Sequence, residues 1–257
     1  MLIDTHSHIN HEKLAEKLDE ILEGLKTDRV GAVVCPSFSY ESSKTSLEVA
    51  KNSRVWCALG VHPECATEYD DETEKFLLSS LNNERVVAVG EIGLDYHYGT
   101  EHKDRQKEVL IEQMKLANQF DLPVIFHVRD AWDDFFEIYE QNRHLVKRGV
   151  IHCFEGDSEI AKRALDLGLW ISLTGLVTFK QRNELREAVK LIPLDRFMVE
   201  TDAPYLTPEP FRREINEPKF TALVADKIAE LKGLSAEEID EITTTNTLKF
   251  FDKMRLE

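Results

Sequence analysis

Six residues far apart in this chain are of the types that hold metal ions, and each follows a short apolar run. His6 and His8 stand one residue apart after Leu2-Ile3-Asp4-Thr5. Side chains alternate along a strand, so a His-x-His pair there faces one side and can offer both imidazoles to a cation. Glu91 follows Val-Val-Ala-Val-Gly, His127 closes Val-Ile-Phe-His, and His152 closes Gly-Val-Ile-His. Asp202 ends Phe-Met-Val-Glu-Thr-Asp. Four imidazoles and two carboxylates exceed what one tetrahedral ion uses, so the set predicts two ions sharing a bridging carboxylate. The competing reading is six separate polar groups, each hydrogen-bonded in the interior where it stands.

Eight apolar runs are the candidate strands that would position these residues. They are Leu2 to His6, Ala32 to Cys35, Val55 to Val61, Val86 to Gly90, Val124 to Val128, Val150 to Phe154, Leu169 to Leu173 and Phe197 to Glu200. They are rich in Val and Ile and mostly continuous in hydrophobicity, as strands covered on both faces are. Between them, Leu14, Leu18, Ile21, Leu22 and Leu25 recur at spacings of three and four, predicting one helix face. Leu110, Met114 and Ala117 do the same. Asn216-Glu217-Pro218 predicts a helix start with proline at an early position. Ser235 and Glu238 have the spacing of a capping box.

Strand-helix alternation of this kind fits a closed barrel or an open doubly wound sheet. A dinucleotide fold would carry a glycine-rich turn after its first strand, where this chain has His6-Ser7-His8. The expectation is therefore a single (β/α)8 TIM barrel over residues 1–257, with the active site at the carboxyl ends of the strands. All six residues then converge on one rim.

At 257 residues, 42% hydrophobic and 31% charged, the chain has the size and composition of a soluble globular protein with one substantial core. No apolar run approaches the roughly 20 residues needed to span a bilayer, and the run after Met1 stops at Asp4, unlike a signal peptide. Neither a membrane nor an obligate protein partner is expected. Cys35, Cys57, Cys65 and Cys153 show no C-x-x-C spacing, which predicts reduced thiols and a cytoplasmic setting. The formal net charge of −16 argues against indiscriminate adhesion to nucleic acid. It leaves room for a nucleic-acid enzyme whose cations and local Arg and Lys residues make an attractive cleft.

The motifs around these residues resemble those of the TatD family of metal-dependent deoxyribonucleases, amidohydrolase-like barrel hydrolases. The resemblance rests on Asp4-Thr5-His6-Ser7-His8, Gly60-Val61-His62-Pro63 and Gly90-Glu91-Ile92-Gly93-Leu94-Asp95. It continues through His127-Val128-Arg129-Asp130-Ala131, His152-Cys153-Phe154 and Glu200-Thr201-Asp202-Ala203-Pro204-Tyr205-Leu206. It implies that His6, His8, Glu91 and Asp202 hold one divalent ion and Glu91, His127 and His152 the second, Glu91 being the bridge. Imidazole-rich ligands suit Zn, Mn or Co, and carboxylate with water suits Mg. The implied reaction is hydrolysis of phosphodiester bonds in DNA by a metal-activated water, with Asp202 or Glu91 helping to take its proton. Single-stranded DNA is the expected substrate, cut from an end as in some relatives.

Other residues take secondary expectations. His62 ends a predicted strand, where it could touch substrate or sit in a ligand's outer shell. Asp95 could accept an imidazole N–H, as metal-binding histidines usually require. Arg129, Lys180 and Arg212 are candidate phosphate contacts. Gly175 would allow close backbone approach. Cys153, next to a ligand, is expected to face away from the ions into the core, and His11, His97, His102 and His144 to be exposed. In the loop after the eighth predicted strand, Arg212-Arg213-Glu214-Ile215-Asn216 departs from the family's Arg-Gly-Lys pattern. Glu64 and Cys65 follow His62-Pro63, where a further histidine is common. Both departures fall where substrate would be gripped. Two other readings stand beside the nuclease: a metal hydrolase of a small phosphoester, lactone or amide, and a non-enzymatic barrel that keeps its ligands for structure.

Overall fold

The computed structural model describes residues 1–256. Eight parallel strands hydrogen-bond in sequence order. They are β1 (Leu2–Asp4), β2 (Val30–Pro36), β3 (Val55–Leu59), β4 (Val86–Asp95), β5 (Val124–Arg129), β6 (Gly149–Ile151), β7 (Trp170–Leu173) and β8 (Phe197–Val199). The order is that of a (β/α)8 barrel. Its seam lies between β8 and β1, where the Thr5 N–H donates to the Val199 carbonyl at 3.2 Å, and Asp202 to His6 and His8 to Ala203 at 2.8 Å each.

Helices α1 (Leu18–Gly24), α2 (Tyr40–Val49), α3 (Asp71–Ser80), α4 (Lys103–Gln119), α5 (Trp132–Asn142), α6 (Ser158–Asp166), α7 (Asn183–Leu191) and α8 (Thr221–Lys232) connect or flank the strands, and α9 (Ala236–Phe250) follows. The stripe from Leu14 to Leu25 is not one helix: Glu12–Lys17 is a 3-10 segment and α1 begins only at Leu18. Its leucines still pack inward, and Leu110, Met114 and Ala117 are buried on α4 as expected. Pro218 opens a short 3-10 turn ahead of α8, and Ser235 and Glu238 form the capping box of α9.

Alternation along the strands divides the apolar side chains between two cores. In β2, Val33 and Cys35 face the helices, and Ala32 and Val34 face the barrel interior. The interior set includes Ile3, Trp56, Ile125, Val150, Trp170 and Met198, and Phe250, Phe251 and Met254 join it from the end of α9. Asn246 on α9 donates to the carbonyls of Leu194 and Phe197, at the amino end of β8. The chain after β8 therefore plugs the amino end of the barrel, leaving the carboxyl end as the mouth. No helix among the described residues is long and apolar enough to cross a membrane.

Several strands are shorter than the apolar runs that announced them. β1 stops at Asp4 instead of His6, β3 at Leu59 instead of Val61, β6 at Ile151 instead of Phe154, and β8 at Val199 instead of Glu200. Ladder pairing ends where the chain turns outward over the rim, so His6, His8, His62, His152 and Asp202 lie just past strand ends. β4 does the reverse and runs on to Asp95. Its register with β5 shifts between Val89, opposite Val124, and Ile92, opposite Phe126. β4 thus uses one more residue than its neighbour around Gly90 and Glu91, a bulge of the kind that re-aims a side chain.

Two glycines are required by close approach. A Cβ on Gly175 would lie 2.2 Å from the Leu206 carbonyl oxygen, so the loop after β7 touches the loop after β8 backbone to backbone. A Cβ on Gly93 (φ 156°) would lie 1.8 Å from the His127 carbonyl oxygen. Gly93→Ala is therefore expected to destabilise the fold by about 1–3 kcal/mol or more, read as a lower midpoint of urea unfolding. A wild-type midpoint would show that β4 and β5 are not pressed together there.

Candidate metal centre

The barrel seam positions three of the six candidate ligands. The β1 extension carries His6 and His8, and a left-handed residue (φ 57°) turns the Asp202 side chain over the mouth toward them. Asp202 Oδ1 lies 3.7 Å from His6 Nε2 and 3.6 Å from His8 Nε2. From across the barrel the bulge in β4 brings Glu91, whose Oε2 is 2.6 Å from His6 Nε2 and 3.7 Å from His8 Nε2. On its other side Glu91 meets β5 and β6: Oε1 is 3.7 Å from His127 Nδ1, and Oε2 is 3.6 Å from His152 Nε2. His127 Nδ1 and His152 Nε2 are 3.0 Å apart. The six residues thus crowd one space, with Glu91 Oε2 facing His6, His8 and His152, and Oε1 facing His127.

These donors fit cations better than they fit one another. Donors about 2.0–2.1 Å from a tetrahedral ion are roughly 3.4 Å apart, close to most of the separations above. His6 Nε2 and Glu91 Oε2 are buried without a hydrogen-bond partner, their 2.6 Å contact lacking the alignment of one. Buried polar groups are normally satisfied, so unpartnered atoms aimed into one space mark a place for a ligand. Four overlapping triads among the described residues have donor atoms within 4.8 Å of one another: His6, His8 and Glu91; Glu91, His127 and His152; His6, His152 and Asp202; and His62, Asp95 and His127.

The electrostatics record the same tension. Burial pushes the Asp202 carboxyl well above the usual range; the His6 charge opposes the shift, and the neighbouring Glu91, Glu200 and Asp4 add to it. Burial also pushes His8 down to about 3, against the pull of Glu91. His6 is held up at about 9 despite burial, because Glu91, Glu200 and Asp202 surround it. Burial would raise Glu91, yet His152, His6 and His62 hold it well below the ordinary range. Several carboxylates thus share a space too dry to ionise them all without cations.

Outside the six, the sequence-predicted residues separate into those in the mouth and those away from it. Asp95 Oδ2 is 2.9 Å from His127 Nε2, where it can fix that ring with Nδ1 toward the donor group. His62 Nδ1 accepts the Glu64 N–H, and Nε2 is 3.1 Å from Glu91 Oε1. Burial and the nearby His127 push the His62 ring down to about 3. Arg129 lines the mouth, as do Glu64 and Cys65. Lys180 and Arg212 do not line it. Lys180 is exposed, and the Arg212 guanidinium lies 3.6 Å over the Phe179 ring and donates to the Thr207 carbonyl. Arg213, Glu214 and Ile215 are exposed in the same loop, and buried Asn216 ties it down through the Thr201 and Tyr205 carbonyls.

Two expectations need correction. Cys153 is not purely core: its φ of 44° breaks the strand alternation and leaves it lining the mouth. His11 is only half-exposed, because its Nδ1 accepts the Lys13 N–H and its Nε2 lies 3.2 Å from the Tyr205 hydroxyl. His97, His102 and His144 are exposed.

Glu200 is a site residue that the sequence pattern does not mark. It is buried, and Oε1 lies 3.4 Å from His152 Nδ1. It accepts from the Cys153 N–H at 2.7 Å, from Thr5 Oγ1 at 3.3 Å and from the Ser172 hydroxyl. Its one signal was a carboxylate set directly on the apolar run of β8. Arg182 also lines the mouth, paired with Glu155 at 3.0 Å.

The chain resembles known proteins over nearly its whole length. The family described as "TatD related DNase" matches residues 3–252. The uncharacterized metal-dependent hydrolase YabD of Bacillus subtilis is 39% identical over 98% of this chain and 99% of its own length. The uncharacterized metal-dependent hydrolase YcfH of Escherichia coli is 37% identical over 100% of this chain and 98% of its own. Among solved structures, the TatD homolog YJJV from Escherichia coli superposes with a TM-score of 0.92 at 32% identity, covering 98% of each chain.

The Asp95–His127 contact gives a test of the donor set. Asp95→Asn is expected to weaken divalent-cation binding about 10- to 100-fold, measured by titration calorimetry, with the circular dichroism spectrum unchanged. Wild-type affinity would show that Asp95 does not orient His127 for an ion.

Proposed function

The chain belongs to the TatD-related DNase family of metal-dependent hydrolases, and from that premise we propose that it hydrolyses phosphodiester bonds in single-stranded DNA at a two-metal centre. The observation that carries the proposal is the position of Glu91, within 3.7 Å of His6 and His8 on one side and of His127 on the other. In this reading His6, His8, Glu91 and Asp202 hold one divalent ion, and Glu91, His127 and His152 hold the second. The imidazole-rich second set suits Zn, Mn or Co, and the carboxylates of the first also admit Mg. When bound, the ions supply Lewis acidity to the phosphate and a lowered pKa to the attacking water.

The side chains have distinct tasks in the reaction. Asp202, whose Oδ1 faces His6 and His8 across the mouth, would accept the proton of the attacking water. Glu91 is held ionised and stays a ligand throughout. His62, with Nε2 3.1 Å from Glu91 Oε1, packs against that carboxylate. Arg129, at the rim, meets a non-bridging phosphate oxygen. Asp95 and Glu200 keep His127 and His152 in the required orientation. The whole chain acts as one barrel domain in this scheme, and the ends of the DNA, where strands are unpaired, are its natural points of attack.

The experiment is incubation of metal-loaded protein with end-labelled single-stranded DNA, with and without chelator. Cleavage that chelation abolishes is expected. Asp202→Asn is expected to lower kcat about 10²- to 10⁴-fold with little change in KM. Full activity in that variant would remove Asp202 from the reaction, and inert DNA beside a hydrolysed small phosphodiester would assign the centre to small substrates.

A further inference from the structure

Electrostatics alone give this protein a poor grip on a polyanion. Its formal net charge is −16. At the mouth Arg182 is paired with Glu155, while Glu64, Asp95 and Asp202 line the same cavity of about 740 Å³. Few phosphates can be neutralised there, so counterion release contributes little to affinity. A single strand has a second handle in its bases, whose flat faces stack on aromatic side chains with little regard to sequence.

Two exposed tyrosines are placed for that contact. Tyr98 is 71% exposed and Tyr205 is 45% exposed, so each offers aromatic surface to a ligand in the mouth. Both line the cavity that holds the metal centre. Tyr98 lies in the loop after β4 and Tyr205 in the loop after β8, and strands four apart in an eight-stranded ring are opposite one another. Each ring has a cation over one face and a histidine ring packed at a steep angle against it, and what stays exposed is open to a base. The His97 ring meets Tyr98 edge-on at 4.9 Å and the Arg129 guanidinium lies 5.4 Å from its centroid. The His11 ring meets Tyr205 edge-on at 5.8 Å and Lys13 Nζ lies 5.2 Å from its centroid.

We propose that Tyr98 and Tyr205 are base-stacking platforms on opposite sides of the metal centre, so that a single strand lies across the mouth with a nucleobase on each ring and the phosphate between them over Glu91. The inference rests on the nuclease reading and deepens it. Stacking supplies the affinity that the acidic body denies, and it selects unpaired DNA because a duplex keeps its base faces covered. Arg129 and Lys13, beside the two rings, meet the phosphates flanking the stacked bases.

The test separates base recognition from backbone recognition. Binding is measured by fluorescence anisotropy on protein with its metal-ligating residues intact, kept in chelator so that it holds DNA without cutting it. The probes are a short labelled oligothymidylate and a strand of the same length whose sugars lack bases. Adding Tyr98→Ala or Tyr205→Ala is expected to weaken oligothymidylate binding on the order of tenfold each and to leave the abasic strand unaffected, with Phe at either position restoring affinity. Unchanged affinity for both strands, or equal losses on both, would overturn the proposal. Wild-type protein that leaves DNA intact and hydrolyses bis(p-nitrophenyl) phosphate would overturn the nuclease reading itself, and the platforms with it.

Discussion

The backbone seam between β8 and β1 is the constraint on which the rest of the structure depends. Its bonds from Thr5 to Val199, from Asp202 to His6 and from His8 to Ala203 close the ring of strands. The same bonds set the distance between the two histidines and the aspartate that face one another across the join. Closure and ligand geometry are thus one event: a barrel that failed to close would separate His6 and His8 from Asp202. Glu91 completes the arrangement from the opposite wall, and only because β4 gains a residue on β5 at that point.

Such a cluster is costly to bury. Asp4, Glu91 and Glu200 are buried at the end of the barrel, and Asp202 beside them is only partly open to water. Hydrogen bonds offset part of the cost: Thr201 donates its N–H and hydroxyl to Asp4, and Cys153, Ser172 and Thr5 serve Glu200. Asp202 and Glu91 Oε2 have no such help from the protein. The fold satisfies the outer carboxylates internally and leaves the inner ones open, the division expected of a site whose last partners are cations.

Much of this was legible in the chain. Eight Val- and Ile-rich runs gave the strand count because parallel strands are buried on both faces, and the ligand types at their ends stood out against apolar neighbours. Where each strand stopped was not legible, since the apolar run continues into residues that are buried in loops: Val61, Phe154 and Thr201 are as hidden as the strands before them. The left-handed turns at Cys153 and Asp202 and the bulge at Glu91 depend on tertiary contacts, so simple alternation placed Cys153 on the wrong side. Glu200 was hidden by its neighbour, because two acids close together at one strand end look like one ligand and a spare. Lys180 was placed by strand position and Arg212 by its loop motif, and neither signal shows a guanidinium that finds an aromatic ring nearer than the mouth.

The plug at the amino end of the barrel has a consequence for how the molecule comes into being on the ribosome. Phe250, Phe251 and Met254 fill an interior lined by residues from every part of the chain, beginning with Ile3, and Thr5 finds its partner Val199 across 194 positions. The first strand emerges early and must wait, with one edge open, until the eighth has been translated. Contacts this remote in sequence form slowly, and an uncovered parallel edge is a hazard for association in the interval. Catalytic competence is therefore an all-or-nothing property of the finished ring: a nascent chain carries its first two histidines long before it can do anything with them.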